Sequence, residues 1–193
     1  MRIEQLGNET TGKIIGITDL HNSNDLEQKE LIQIAASLSS DVLTVQLLNG
    51  LLIADEIHLL SAAQNALNAQ QGEYMLSRSL DVEIIVFASA QRQIGKAIDA
   101  LGVFDGLDEI AVVVIGPDVD SVEKVIRELT RRIGAEIIPS FPSSKERIAR
   151  IKSHYDISDK EINTISDSDG LESKLLALSR CIVSRVSLVA FDS

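Results

Sequence analysis

Apolar and polar residues alternate along the chain with two periods, which predict strands and helices in turn. Five runs rich in β-branched or alternating apolar residues predict strands at residues 13–20, 41–48, 82–88, 109–115 and 135–138. The segments between them place apolar residues three and four positions apart, which predicts helices. Strands that alternate with helices are typical of an α/β layered domain. We therefore predict an α/β fold with a mixed central β-sheet covered by helices.

The centre of the chain combines a predicted strand with a predicted helix. Ser89 ends the apolar run at 82–88 and is the expected N-cap of a helix that Gly102 ends. The apolar face of this helix consists of Ile94, Ala97, Ile98 and Leu101. Gln91, Arg92 and Gln93 would then lie in the first helical turn, beside backbone N–H groups that have no partner within the helix. Such a place suits an anion or a nucleotide, although solvated side chains with Arg92 paired to a neighbouring acid would give the same pattern.

The C-terminal third of the chain is predicted to be helical. Capping boxes that would start helices lie at Ser143/Glu146, Ser158/Glu161 and Asp169/Glu172, after two earlier ones at Asn24/Glu27 and Asp120/Glu123. On a helical wheel the apolar residues of the last helix fill an arc of roughly 160°, whereas one packing surface needs roughly 100°. Two interpretations stay open: this helix lies in a groove between two neighbours of its own fold, or Leu176 and Val183 contact a partner.

Composition and charge limit the classes of function. The chain has 193 residues, 45% of them hydrophobic, and no low-complexity run, which predicts a single domain over residues 1–193. Its formal net charge of −11 repels polyanions over the whole surface, so any contact with RNA must be local. Cys181 is the only cysteine, which fits a reducing compartment. Because we find no signal peptide and no apolar run of membrane-spanning length, we expect a cytoplasmic protein, or a nuclear one in a eukaryote.

The sequence does not contain the motifs of common cofactor or catalytic sites. No glycine-rich loop of the dinucleotide-binding or phosphate-binding kind follows a predicted strand. His21, His58 and His154 lie far apart, and neither an HExxH nor a GxSxG motif is present. We therefore expect no cofactor, no metal and no catalytic residue. The alternative is an enzyme of small metabolites that holds a phosphate or carboxylate at the predicted helix start between Ser89 and Arg92.

Two stretches of the chain resemble a known family. The central one reads Leu80-x-x-Glu83-Ile84-x-x-x-x-Ser89-x-x-Arg92-Gln93-Ile94-x-x-Ala97-Ile98-x-x-Leu101-Gly102. The C-terminal one joins Tyr155-x-Ile157-Ser158 to a last helix that contains Ile182-Val183-Ser184-Arg185-Val186-Ser187. Together they resemble the smallest regulatory subunit of the KEOPS (EKC) complex, the PRPK-binding protein family, over nearly the whole chain.

The resemblance implies a mixed α/β domain that is not an enzyme. A member of this family docks on the small lobe of a kinase-like ATPase subunit, which in turn binds the transferase that installs threonylcarbamoyl-adenosine on tRNA. The family is also implicated in holding the tRNA acceptor end. The residues that this implies for kinase binding are Leu176, Ile182, Val183 and Val186, and those for RNA binding are Arg78, Gln91, Arg92, Gln93 and Lys96. A purely structural adaptor without RNA contact is the other alternative.

Overall fold

The strands form one antiparallel sheet in the computed structural model, which describes residues 1–7 and 12–190. In chain order the strands are β1 (Arg2–Leu6), β2 (Lys13–His21), β3 (Thr44–Asn49) and β4 (Glu109–Gly116). Their order across the sheet is β1-β2-β4-β3, and each neighbouring pair is antiparallel. The prediction of a mixed sheet is therefore wrong in this detail. β2 and β3 run in the same direction, but β4 lies between them and is antiparallel to both.

Helices cover both faces of this sheet. They are α1 (Gln28–Leu38), α2 (Glu56–Gln71), α3 (Leu80–Ala88), α4 (Ile94–Leu101), α5 (Val119–Ile133), α6 (Lys145–Tyr155), α7 (Asp159–Ile165) and α8 (Leu171–Leu188), with a short 3-10 helix at Gly50–Leu52. α1 and α5 enclose one apolar core, and α2, α3, α4, α6 and α8 enclose the other. The α/β class, the single domain and the helical C-terminal region are thus confirmed. The exact domain bounds remain a prediction.

β4 is the centre of the fold. Its residues from Ile110 to Ile115 are fully inaccessible to solvent, as expected of a continuous apolar run that is covered on both faces. The predicted strands at 13–20, 41–48 and 109–115 correspond to β2, β3 and β4. The predicted strand at 135–138 is wrong, because it makes a single antiparallel bridge, between Leu20 and Glu136. β1, which the sequence pattern did not predict, pairs along the outer edge of β2.

The predicted central strand at 82–88 is the helix α3, so this prediction is wrong. α3 packs against α2, α4 and α8 as well as against β3, and it is therefore apolar on almost every side. A short helix buried all round has the same run of apolar residues as a buried strand. Its one buried acid, Glu83, has its carboxylate satisfied by the backbone N–H groups of Leu76 and Ser77, at 3.0 and 2.7 Å.

Most helix starts differ from the predicted capping boxes by one to three residues. The box at Ser158/Glu161 is confirmed at the start of α7, with both reciprocal hydrogen bonds formed. The observed N-caps at the other predicted boxes are Glu27 for α1, Asp118 for α5, Ser144 for α6 and Gly170 for α8. The position of a cap depends on where the preceding backbone leaves the extended conformation, and neighbouring Ser, Asp and Asn residues are similarly good N-caps.

A membrane-spanning helix is not found among residues 1–7 and 12–190, since none of the helices there has the necessary length and apolar character.

Candidate docking surface and cationic groove

The segment between α3 and α4 differs from the predicted helix start. Ser89 ends α3 as its C-cap, and its hydroxyl donates to the Val86 carbonyl at 3.0 Å. α4 begins at Ile94 and has Gln93 as its N-cap. Arg92 therefore lies before the helix and not in its first turn. The predicted anion site on a helix N-terminus, with Gln91 and Arg92 beside its free N–H groups, is wrong.

Arg92 instead connects this segment to the end of α8. Its Nη1 donates to the Val189 carbonyl at 3.0 Å, next to the last residue of α8. A cation at a helix C-terminus is favourable because carbonyl groups there carry partial negative charge. Within residues 1–7 and 12–190, Arg92 also forms no ion pair with a neighbouring acid, which was the expected alternative. Arg92 is otherwise exposed, so the rest of its guanidinium is accessible to a ligand.

Three basic side chains surround a groove at this place. The groove has a volume of about 290 Å³ and lies between the α3–α4 segment and the C-terminal ends of α6 and α8. It is lined by the basic residues Arg92, His154 and Arg185, together with other residues, and we call it the cationic groove. Burial lowers the pKa of His154, and its Nε2 is buried without a partner among the described residues. At neutral pH the positive charge of the groove therefore comes from the two arginines, and one acidic residue, Asp156, lines the same groove.

Arg185 is held in a fixed position. Its Nη2 donates to the Glu161 carboxylate at 2.9 Å and to the Asp156 carbonyl at 3.3 Å. The Ser158 backbone N–H first, and then the Arg185 guanidinium, lower the pKa of the Glu161 carboxyl to about 2. Glu161 consequently stays ionised throughout the physiological range and keeps the guanidinium in place. Arg185 and His154 were not among the predicted site residues, because α6 and α8 bring them together from distant parts of the sequence.

The predicted RNA-binding residues are only partly brought together. Gln91 and Arg92 line the cationic groove. Arg78 lies in the segment before α3, Gln93 caps α4 and Lys96 is in the first turn of α4, and all three side chains are exposed. No hydrogen bond in the described parts of the chain links these three to the groove. The role of all five residues in RNA binding stays a prediction.

α8 buries most of its apolar arc within its own fold. Ile182 and Val186 are fully inaccessible and belong to the core that includes α2 and α3. Neither can contact a partner in this conformation, which corrects their assignment to kinase binding. α8 contacts α2, α3, α6 and α7, so the wide apolar arc is explained by several neighbours of the same chain.

A narrow strip of α8 remains accessible. Leu176 is 37% exposed, Val183 is half-buried, and Arg180 and Ser187 are exposed on the same side. We call these four residues the α8 stripe. Leu176 also borders a shallow groove of about 210 Å³ formed with residues 139–143. The structure thus leaves Leu176 and Val183 accessible. This is what the second interpretation of the apolar arc requires, in which these two residues contact a partner.

Comparison with known proteins identifies the family. A search of curated protein sequences finds no match to the chain. The family model described as kinase binding protein CGI-121 matches residues 17–190, which include the second half of β2, all of β3 and β4, the eight helices named above and both surfaces. This match agrees with the resemblance to the smallest KEOPS subunit. The chain belongs to the CGI-121 family of kinase binding proteins.

Proposed function

We propose that this chain is a non-catalytic subunit of the KEOPS complex that docks on the kinase-like ATPase subunit. In this role it helps to hold the tRNA acceptor end in the cytoplasm during threonylcarbamoyl-adenosine modification, and it meets the transferase subunit only indirectly. The observation that carries the proposal is the family match over residues 17–190, since the family is described as kinase binding.

The α8 stripe is the proposed kinase-docking surface. Leu176 and Val183 lie seven residues apart, which places them on one side of a helix two turns from each other. The helix is anchored from behind by buried residues such as Leu178 and Ile182, so its exposed side is presented by a rigid support. A partner that covers the stripe would bury aliphatic side chains without disturbing the core.

A pair of matched substitutions tests the docking surface. We expect Val183→Arg to lower the affinity for the kinase-like subunit by about tenfold or more, because a charge would be buried at the contact. The control is Val119→Arg, since Val119 is 41% exposed at the start of α5, on the other side of the sheet. Circular dichroism checks the fold of both variants. If Val183→Arg unfolds, Leu176→Arg replaces it. A folded variant that binds the kinase-like subunit with wild-type affinity would refute docking through α8.

The cationic groove is the proposed site for the RNA end. The chain carries a net charge of −11, so a few local cations have to provide whatever phosphate contacts it makes. Arg185 is already paired with the Glu161 carboxylate, so one phosphate neutralised by Arg92 would give a logarithmic salt slope of only about −0.7 for single-stranded RNA. Guanidinium planes also stack on unpaired bases, which suits a chain without tryptophan.

Removal of the terminal CCA nucleotides tests the RNA assignment. We expect tRNA that lacks them to bind this chain more weakly than intact tRNA, and Arg92→Gln to abolish the difference. Arg127→Gln is the control, because Arg127 is an exposed arginine on α5. If intact and truncated tRNA bind equally, the chain is a structural adaptor without RNA contact. That result would leave kinase docking intact.

The alternative of a small-molecule enzyme was based on a helix start that the structure places elsewhere. It required a helix start between Ser89 and Arg92, whereas Ser89 ends α3 and α4 begins at Ile94.

A further inference from the structure

β3 forms one edge of the sheet. It pairs with β4 on one side, and no other strand in the described parts of the chain pairs with its opposite side. Alternate N–H and C=O groups of such an edge strand point away from the sheet. An open edge of this kind can accept hydrogen bonds from, and donate them to, another extended chain.

A groove of about 420 Å³ runs along this edge. Val45, Gln46 and Leu47 of β3 line its floor, and Gly102 and Val103 lie at one end. α1 contributes one wall and α3 with α4 the other. The groove contains no residue of the α8 stripe or of the cationic groove.

The walls of the groove carry exposed aliphatic side chains. Ile32 of α1 is 54% exposed, and Ile98 of α4 is 40% exposed. On the floor, the Gln46 side-chain amide donates to the Leu47 carbonyl at 2.5 Å. This side chain occupies a backbone acceptor of β3 and would have to turn away if another chain took its place. Side chains of an added strand point alternately to its two faces, so they would meet α1 on one side and α3 with α4 on the other.

We propose that β3 and this groove bind an extended, basic segment of another protein, which adds to the sheet beside β3. Among the described residues, Asp81 is the only charged one that lines the groove, and none that lines it is basic. A second copy of this chain would bring another net charge of −11, so electrostatic repulsion opposes pairing between two β3 edges. A segment with apolar residues at alternate positions and Lys or Arg between them would place its apolar side chains against α1. Its basic side chains would lie against the wall that carries Asp81, where their aliphatic stems cover Ile98. This surface is separate from the proposed function and does not depend on it.

Defined peptides test the proposal with the full chain. The probe is a fluorescein-labelled peptide of alternating valine and lysine, as long as β3, and its binding is measured by fluorescence anisotropy at physiological salt. The matched peptide alternates valine and glutamate. Two further peptides carry N-methyl groups, one on its valines and the other on its lysines. The N–H groups of alternate residues point to opposite edges of a strand, and an N-methylated residue cannot donate a hydrogen bond. Each of these peptides is therefore blocked along one edge. We expect the valine–lysine peptide to bind about tenfold more tightly than the glutamate peptide.

The N-methylated peptides and two variants decide the outcome. Only one edge of an added strand faces β3, so one N-methylated peptide should lose about tenfold in affinity while the other binds normally. Ile32→Ser and Ile98→Ser should each weaken binding about fivefold, whereas Val119→Ser should not. Equal binding of both N-methylated peptides, or unchanged binding by Ile32→Ser and Ile98→Ser, would overturn the proposal. A dimer of the chain that Ile98→Ser dissociates would also overturn it, in favour of a second copy.

Discussion

Replacement of Arg147 by methionine should strongly destabilise this protein, because Arg147 is a buried cation that joins separate segments of the chain. Its side chain is only 5% exposed. Nη1 donates to the carbonyls of Gly50 and Ile53, at 3.0 and 2.8 Å, and Nη2 donates to the Glu109 carboxylate at the start of β4. The guanidinium also lies over the ring of Phe141, with 5.9 Å between its carbon and the ring centroid.

The expected loss follows from what methionine leaves behind. Methionine fills much of the same volume but donates no hydrogen bond, so one carboxylate and two carbonyls lose their partner. Removal of one member of a buried ion pair costs about 3–5 kcal/mol. We expect the lower end of this range, about 3 kcal/mol, because the Glu109 side chain is 16% exposed and water can reach it. If the free energy of unfolding falls by about 2 kcal/mol per molar of urea, the midpoint of the unfolding transition would fall by about 1.5 M urea.

Urea unfolding followed by circular dichroism measures this loss. The control is Arg150→Met, since Arg150 is an exposed arginine on the same helix, with a weak contact of 3.5 Å to the Leu51 carbonyl. We expect the control to change stability by about 0.5 kcal/mol or less. The variant that combines Arg147→Met with Glu109→Gln should recover part of the loss, because it no longer contains an unpaired carboxylate. A midpoint for Arg147→Met equal to that of Arg150→Met would refute the reasoning.

Three further changes should affect stability in stated directions. Glu83→Gln should cost about 2 kcal/mol in urea unfolding, because the fully buried carboxylate accepts two backbone hydrogen bonds and an amide can accept only one of them; an unchanged midpoint would contradict this. Ser158→Ala should cost about 1 kcal/mol through loss of the capping box of α7, with exposed Ser153→Ala as the control. Burial lowers the pKa of His58 below its usual 6.5. The unfolded chain therefore binds a proton there first, and wild-type stability should fall as the pH drops below 6.5. His58→Gln should show a smaller fall over the same range, and parallel pH profiles would refute this assignment.

The positions of the strands could be predicted wherever the residues of a single strand form a recognisable apolar pattern. β2, β3 and β4 have alternating or continuous apolar runs of strand length, and their positions are visible without knowledge of their neighbours. α3 could not be told from a strand by periodicity, since it is surrounded by apolar neighbours. Two local signals did favour a helix: Ser79 at the N-cap, and the acids Asp81 and Glu83 in the first turn. The direction of the strands depends on the order in which they pair, which the sequence pattern does not contain.

The candidate surfaces were harder to predict than the strands. The wheel of the last helix correctly showed a wide apolar arc, but the number of neighbours that cover it depends on α2, α3, α6 and α7 together. Ile182 and Val186 therefore proved to be core residues, while Leu176 and Val183 stayed accessible. The sequence drew attention to Arg92 for a helix start that the structure does not place there, and it could not show the contact with Val189, which joins positions far apart in the sequence.

The position of Arg185 implies that the two proposed activities are coupled. Arg185 lines the cationic groove and lies on α8 two residues after Val183 of the α8 stripe, and Arg92 donates to the carbonyl just beyond the end of the same helix. A kinase-like subunit bound to the stripe would restrain this part of α8, and with it both guanidinium groups, before RNA arrives. We therefore expect the bound subunit to raise the affinity for the tRNA acceptor end by about fivefold or more. Thermodynamic linkage requires tRNA to raise the affinity for the kinase-like subunit by the same factor, so calorimetric titrations in both orders check the result. Equal tRNA affinities with and without the bound subunit would show that α8 supports two independent sites.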